Sequence, residues 1–300
     1  MRQRFLAFIL LLATLLCLCS CSGENKDSTF SIQFIDVGQG DSALVECDGH
    51  YMLIDGGETT AGDKVYKVYN VLEEKGIQKL DILAVSHLHT DHYGGLIKAL
   101  TYASKIGVTI SNATYSDNET FRKFEHELGI NGTKITVPAP GDKYELGSAT
   151  VEVIDSRAAE ANDSLVLLIT YGKTRFLFTG DIQRNGQLRV IESFEENQKS
   201  QGDWVSLIKM PHHGAYNDEF GLAENALYRL LWEYDPSYFV ISVGANNQYK
   251  HPHQETMDMI EDMIVKAKDL DWNNHVYRTD EQGDIIVRSN GKELSFETSK

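Results

Sequence analysis

From Phe30 onward, short runs of β-branched and other apolar residues alternate with amphipathic stretches, and nothing else in the sequence constrains the fold as strongly. The runs have strand length and the stretches space their apolar residues along one helix face, which is the pattern of a layered α/β protein. Strands are expected over residues 31–37, 43–46, 51–54, 82–86, 150–154, 165–171, 175–178, 204–209, 238–242 and 285–288. Helices are expected over 64–75, 94–105, 119–128, 183–194, 219–234 and 254–269. In the last helix Met257, Ile260, Ile264, Ala267 and Leu270 fall at helical spacing and read as core packing. No fixed-period repeat and no Pro- or Gly-rich linker interrupts the body, so residues 29–300 are expected to form one domain. Cys47 is the single cysteine of that body. No disulfide can therefore form within it, and a core, a metal or both must stabilise it.

The first two dozen residues differ from the rest. Arg2 and Arg4 precede an uncharged apolar run over 5–18, which reads as a secretory signal peptide and falls short of the ~20 residues of a spanning helix. Leu18-Cys19-Ser20-Cys21 resembles a bacterial lipobox, which implies cleavage before Cys21 and lipidation of its thiol. Residues 1–21 are thus expected to be a lipoprotein signal and 22–28 a polar tether. The domain would then lie outside the cytoplasm on a lipid anchor at Cys21, with plain secretion as the alternative. With 28 Lys and Arg against 44 Asp and Glu, a generally basic nucleic-acid binder is excluded, although a local basic groove is not.

The sharpest chemical signal is Ser86-His87-Leu88-His89-Thr90-Asp91-His92-Tyr93-Gly94-Gly95, placed directly after the apolar run 82–85. This density of imidazole and carboxylate groups suits a metal site better than a core. Neutral imidazole nitrogens and a carboxylate oxygen suit zinc, and also manganese or iron. A loop at a strand end can aim alternate side chains into neighbouring sites, and the paired glycines let the backbone turn into a helix.

His87-x-His89-x-Asp91-His92 resembles the signature of the metallo-β-lactamase fold, a four-layer αββα sandwich. The stretches 34–42, Leu53-Ile54-Asp55-Gly56-Gly57, Asn162-Asp163-Ser164, Phe178-Thr179-Gly180-Asp181, Lys209-Met210-Pro211-His212-His213-Gly214 and His251-Pro252 follow the order seen in the hydrolase domain of competence DNA-uptake channel proteins. Tyr277 through Ile285 looks like the closing hairpin of that branch. The channel proteins carry many membrane helices, whereas this sequence shows none after its leader, so the hydrolase domain is expected to stand alone. The opening strands and the block from Lys79 to Gly95 are also similar to phosphorylcholine esterase domains displayed on streptococcal walls.

These resemblances imply roles for individual residues. His87 and His89 would bind a first divalent cation, Asp91 and His92 a second, and Asp181 would bridge them. Two cations so close need an anionic oxygen between them, and a water held there would ionise near neutral pH. One of the adjacent pair His212 and His213 would complete the second site; His213 is preferred, leaving His212 to contact substrate or support the ligands. Asp91, His212 and His251 are the candidates for catalysis, His251 reading equally as a phosphate-binding or proton-donating group and as a loop residue. Many members of the fold place a histidine where this chain has Asn162-Asp163-Ser164. Asp163 reads equally as a ligand, a substrate contact or a turn residue. Asp36 and Asp55 end strands near the expected site, and outer support of the histidines suits them better than ligation.

The expected activity is hydrolysis of phosphoester bonds at two divalent cations, zinc first and manganese next, on nucleic acid or a cell-wall polymer. An amide or ester hydrolase of the lactamase type and a metal-stabilised binding module are the alternatives. No protein partner is evident.

Overall fold

The computed structural model describes residues 29–59, 64, 66–197, 205–216, 224–266 and 268–300. The expected leader, Cys21 and the tether lie outside the described residues. Among the described residues, no helix is long and apolar enough to cross a membrane.

An eight-stranded sheet contains β1 (Phe30–Phe34), β2 (Ala43–Cys47), β3 (His50–Ile54), β4 (Lys79–Val85), β5 (Lys105–Ser111) and β6 (Ile135–Thr136). A seven-stranded sheet contains β7 (Lys143–Leu146), β8 (Ala149–Asp155), β9 (Val166–Tyr171), β10 (Thr174–Phe178), β11 (Leu207–Lys209), β12 (Tyr238–Ile241) and β13 (Val276–Arg278). The chain then returns to the first sheet as β14 (Ile285–Ser289) and β15 (Leu294–Thr298), and β14 pairs antiparallel with β1. The spatial orders are β15-β14-β1-β2-β3-β4-β5-β6 and β13-β12-β11-β10-β9-β8-β7. In each sheet one flank is parallel, from β3 to β6 and from β10 to β13.

The facing sides of the sheets bury Ile32, Val45, Met52, Ile82, Val151, Ile169 and Phe176 against one another. Phe30 stacks on Tyr171 and on Phe176, each with ring centroids 4.9 Å apart, and Phe34 lies 5.7 Å from Phe178. Each fully buried side chain of this size contributes about 1.5–3 kcal/mol relative to exposure. The outer face of the first sheet is covered by helices Lys67–Glu74, Leu96–Ala99 and Glu119–Ile130 through Val68, Leu72, Leu96, Phe121 and Phe124. Helices Arg184–Asn197, Ala226–Tyr234 and Gln254–Glu261 cover the second sheet through Ile191, Leu227, Leu231 and Ile260. The result is a four-layer αββα sandwich, as the motifs imply.

Several elements depart from the sequence reading. The helix expected over 94–105 ends at Ala99, and β5 starts at Lys105, because Ile106, Val108 and Ile110 alternate at strand period and pair with β4. Gly107 lies within β5, where a Cβ would come 2.5 Å from the Asp81 carbonyl oxygen. Residues 277–285 form no hairpin: β13 extends the second sheet, the turn Thr279–Gln282 crosses over, and the hairpin is β14–β15. The helix expected from 219 begins at Ala226, capped by Asn225, with 219–223 outside the described residues. The apolar stripe after His253 does pack as core at Ile260 and Ile264, with Met257 and Leu270 partly buried at its edge; Ala267 lies outside the described residues.

Helix Glu119–Ile130 shows how local chemistry is tied to the strand-end loops. Asn118 Oδ1 accepts from the Phe121 amide at 2.7 Å, capping the helix, and from the hydroxyl of buried Tyr93 at 2.9 Å. Tyr93 directly follows His92. Asn118→Ala removes both bonds and is expected to cost about 2 kcal/mol, combining a lost cap with an unpaired hydroxyl. Chemical denaturation of wild type and variant measures it; an unchanged midpoint would refute this account.

Candidate metal centre

The candidate ligands come from strand ends. After β4 the chain runs through Ser86, His87 and His89 into the single helical turn Thr90–Tyr93, which carries Asp91 and His92. After β10 comes Asp181, and after β11 the tight turn Pro211–Gly214 with His212 and His213. Because β3, β4, β10, β11 and β12 belong to the parallel flanks, their carboxyl ends gather on one edge of the sandwich, where open α/β sheets place binding sites.

The backbone accepts strain to bring these groups together. His212 and His213 have φ of 50° and 55°, and Asp55 has φ of 58°, left-handed values that cost a non-glycine residue about 1–3 kcal/mol each. Gly180, with φ of 52°, precedes Asp181; a Cβ there would meet the Ser164 side chain at 2.5 Å. At Gly40 a Cβ would collide with the Asp91 carbonyl oxygen.

Ligand atoms of Asp91, His92, Asp181 and His213 lie within 4.8 Å of one another. Asp181 Oδ2 is 3.2 Å from His92 Nε2 and 3.5 Å from His213 Nε2, while Asp91 Oδ2 is 3.5 Å from His213 Nε2 and 3.9 Å from His92 Nε2. His87 adjoins the group, its ring 4.2 Å from that of His92 and 4.4 Å from that of His89. His89 itself is exposed. His212 Nε2 stands 3.8 Å from Asp181 Oδ2, and the His251 ring lies 5.5 Å from the His212 ring.

The groups behind the imidazoles fix their tautomers. His92 Nδ1 donates to Asp55 Oδ2 at 2.9 Å, and Asp55 Oδ1 accepts from the Ser86 amide at 2.7 Å. His213 Nδ1 donates to the Ser242 carbonyl at 2.9 Å. His87 Nδ1 lies 3.2 Å from Ser86 Oγ and 3.4 Å from Ser164 Oγ, and Ser164 Oγ also accepts from the Asp181 amide at 2.9 Å. Each arrangement leaves Nε2 to the cluster. His87 Nε2, His92 Nε2, His213 Nε2 and Asp181 Oδ1 are all buried and without a hydrogen-bond partner. Buried polar atoms are nearly always paired, so a convergent set of unpaired lone pairs is what a metal site requires. The donor set therefore fits divalent cations, and the His/Asp cluster fits a dimetal site.

The electrostatics agree. Burial opposes charge throughout, yet Asp181, with Asp55 for His92 and Asp41 for His213, pulls both imidazoles well above their ordinary range. Burial would likewise raise Asp181, but His213 and His92 hold its carboxyl well below the usual range. The positive charge that these carboxylates favour at the imidazoles is charge that divalent cations would supply in its place. Burial pushes His87 well down and His212 down, while His251 is lowered to about 4 by burial and by the charges of His213 and His212.

Two sequence candidates stand apart from the cluster. Asp163 accepts from the amides of Ala159 and Glu160 at 2.8 and 3.0 Å and pairs with Arg189, so both its oxygens serve the turn. Asp36 pairs with Lys64 and Lys300 and accepts from the Gly38 amide; its carboxylate supports the chain ends, and no site histidine is among its partners. β1 points the same way as β3, since both are antiparallel to β2, but it lies two strands away and next to β14, so the residues after it sit nearer the carboxyl terminus. Conversely, Asp41 and Lys209 had no assigned role, yet both lie at the cluster. Asp41 Oδ1 is 3.2 Å from His213 Nδ1, and Lys209 Nζ, in contact with Asp41, is 3.9 Å from Asp181 Oδ1. A charged residue ending the apolar run Leu207-Ile208 was the available signal for Lys209, but its partner lies far away in sequence.

Comparisons with known proteins agree with this fold. The family model described as the metallo-beta-lactamase superfamily matches residues 35–241. ComE operon protein 3 of Bacillus subtilis (strain 168) is 27% identical over 286 residues, covering 88% of this chain and 34% of that protein. Competence protein ComA of Neisseria gonorrhoeae is 24% identical over 230 residues, covering 75% of this chain and 28% of that protein. The chain thus spans about a third of the length of these curated relatives. Among solved structures, the metallo-beta-lactamase fold protein YhfI from Bacillus subtilis superposes with a TM-score of 0.53 at 16% identity, covering 87% of this chain and 100% of that one. A mutant of CmlA beta-hydroxylase gives 0.54 at 11% identity, covering 88% and 54%. At such identities these two likenesses show the fold alone.

Proposed function

This chain belongs to the metallo-beta-lactamase superfamily, and from that premise we propose that it is a metal-dependent phosphodiesterase that cleaves nucleic-acid strands outside the cytoplasmic membrane. The observation that carries the reading is the convergence of Asp91, His92, Asp181 and His213 beside His87, with Nε2 of all three imidazoles buried and unpaired. Asp91, His92 and His213 would hold one cation, His87 and His89 the other, with Asp181 between them. When bound, such cations supply positive charge that eases ionisation of a water near neutral pH and offsets charge developing on phosphoryl oxygens.

The remaining work falls to the chain's own residues. Asp55, the Ser242 carbonyl and Ser164 orient the imidazoles before substrate arrives, so little reorganisation is needed during reaction. Side chains of His92, His213 and Asp181 are at most 3% exposed, whereas His212 is 21% and Asp91 27% exposed, so substrate approaches from the side of His212, Asp91 and exposed His89. His212 and His251, kept neutral by burial, can each offer an N–H to a phosphoryl or leaving oxygen.

The relative named competence protein ComA, with the resemblance of the motifs to competence DNA-uptake proteins, supports a nucleic-acid strand over a wall polymer. The net charge of −16 implies weak, salt-sensitive capture of that strand. We also propose, from the lipobox-like Leu18-Cys19-Ser20-Cys21, that Cys21 carries a lipid anchor. The mature domain, loaded with zinc or manganese, should hydrolyse bis(4-nitrophenyl) phosphate and single-stranded DNA and lose both activities to a chelator. Release of choline phosphate from a chromogenic ester without DNA cleavage would move the substrate to wall polymers. Turnover of nitrocefin with neither phosphodiester touched would refute the phosphodiesterase reading.

A further inference from the structure

Behind the cluster, Lys209 and Asp41 form a buried ion pair, 3% and 6% exposed, for which the proposed reaction has no use. Lys209 also donates to the Gly180 carbonyl at 3.2 Å, one residue before Asp181. Asp41 turns its other oxygen toward His213 Nδ1 at 3.2 Å, and its amide donates to the Asp91 carbonyl at 3.3 Å. One pair thus touches the residues that carry Asp91, Asp181 and His213 in place, on three separate strand-end loops. A buried ion pair seldom stabilises a fold more than well-packed apolar residues of the same volume would, so stability alone does not account for it.

We propose that Lys209 and Asp41 are positioning residues for the second cation, an inference that rests on the metal-centre reading. Asp41, with the Ser242 carbonyl, confines the Nδ1 edge of His213 so that Nε2 faces Asp91 and Asp181. Lys209 fixes Asp41 and, through the Gly180 carbonyl, the turn that presents Asp181. The pair has a second effect. Asp41, Asp55 and His92 also bring ligand atoms within 4.8 Å of one another, a rival metal grouping behind the first. By claiming Asp41, Lys209 withholds its carboxylate from that grouping and directs the cation to the substrate side of His92.

The test is titration of the mature domain with Co2+ alone, followed by visible absorbance and calorimetry, in wild type and in the double variant Lys209→Met/Asp41→Asn. Removing both charges together leaves no unpaired buried ion, so the variant is built to fold. Wild type should take up two equivalents. The variant should keep the first at wild-type affinity and bind the second about 10–100-fold more weakly, with its metal-free unfolding temperature close to that of wild type. Unchanged affinity for both equivalents would overturn the inference, and so would loss of both together, which marks general disruption. Wild type that binds no Co2+ would overturn the metal-centre reading, and this inference with it.

Discussion

Asp181→Ala is expected to lower kcat/KM for bis(4-nitrophenyl) phosphate by about three orders of magnitude while the fold survives. Among the described residues, Asp181 is the one carboxylate within reach of three candidate imidazoles, 3.2 Å from His92, 3.5 Å from His213 and 3.8 Å from His212. Its Oδ1 is buried and without a hydrogen-bond partner, so the substitution removes no hydrogen bond of that atom, only its 3.9 Å approach to Lys209 Nζ. A metal site stabilises a charged transition state by several kcal/mol, and each 1.36 kcal/mol is a factor of ten in rate, so loss of a shared ligand projects to about 10³-fold. Its removal also frees His92 and His213 from the charge that raises them, so their protons should leave at lower pH in the variant. Steady-state kinetics with metal content by plasma mass spectrometry is the measurement. A variant that retains both metal and turnover would remove Asp181 from the mechanism.

The second large effect is on stability. Arg189 is 13% exposed at its side chain and reaches two carboxylates that are 2% exposed or less, Asp155 at 2.8 Å and Asp163 in close contact. It ties helix Arg184–Asn197 to the end of β8 and to the Asn162-Asp163-Ser164 turn, whose serine contacts His87 and the Asp181 amide. Arg189→Met leaves two buried carboxylates without their cation. Breaking a buried pair from one side costs about 3–5 kcal/mol. Exposed Arg157, 3.3 Å from Asp155, compensates in part, which favours the lower end. For a domain of this size that corresponds to a fall in Tm of about 10 °C. The triple variant Arg189→Met/Asp155→Asn/Asp163→Asn should recover much of it, because neutral amides need no cation. Calorimetry that shows Arg189→Met within a degree of wild type would refute the role.

The loops that carry the candidate ligands were legible because each sits directly after an apolar strand. His87, His89, Asp91 and His92 follow β4, Asp181 follows β10, and His212 and His213 follow β11, so residue type and strand period together locate them. β5 was missed because a strand beginning with Lys105 and carrying Gly107 imitates the end of a helix until its pairing with β4 is known. Asp36 and Asp55 look alike in sequence, each an aspartate at a strand end. β3 lies next to β4, whose loop carries His92, and delivers Asp55 to it, whereas β1 lies two strands further out beside β14, where Asp36 meets Lys64 and Lys300.

By itself, then, the sequence determined the layered α/β class, the strand-end placing of the candidate histidines and aspartates and the absence of any disulfide within the body, since local periodicity and residue chemistry suffice for each. Only the tertiary structure decided that His213 joins Asp91, His92 and Asp181, that Arg189 occupies Asp163, and that Lys209 pairs with Asp41. Those facts depend on which strand ends become neighbours when two sheets pack face to face. Contacts between residues far apart in the chain leave no periodic trace in it.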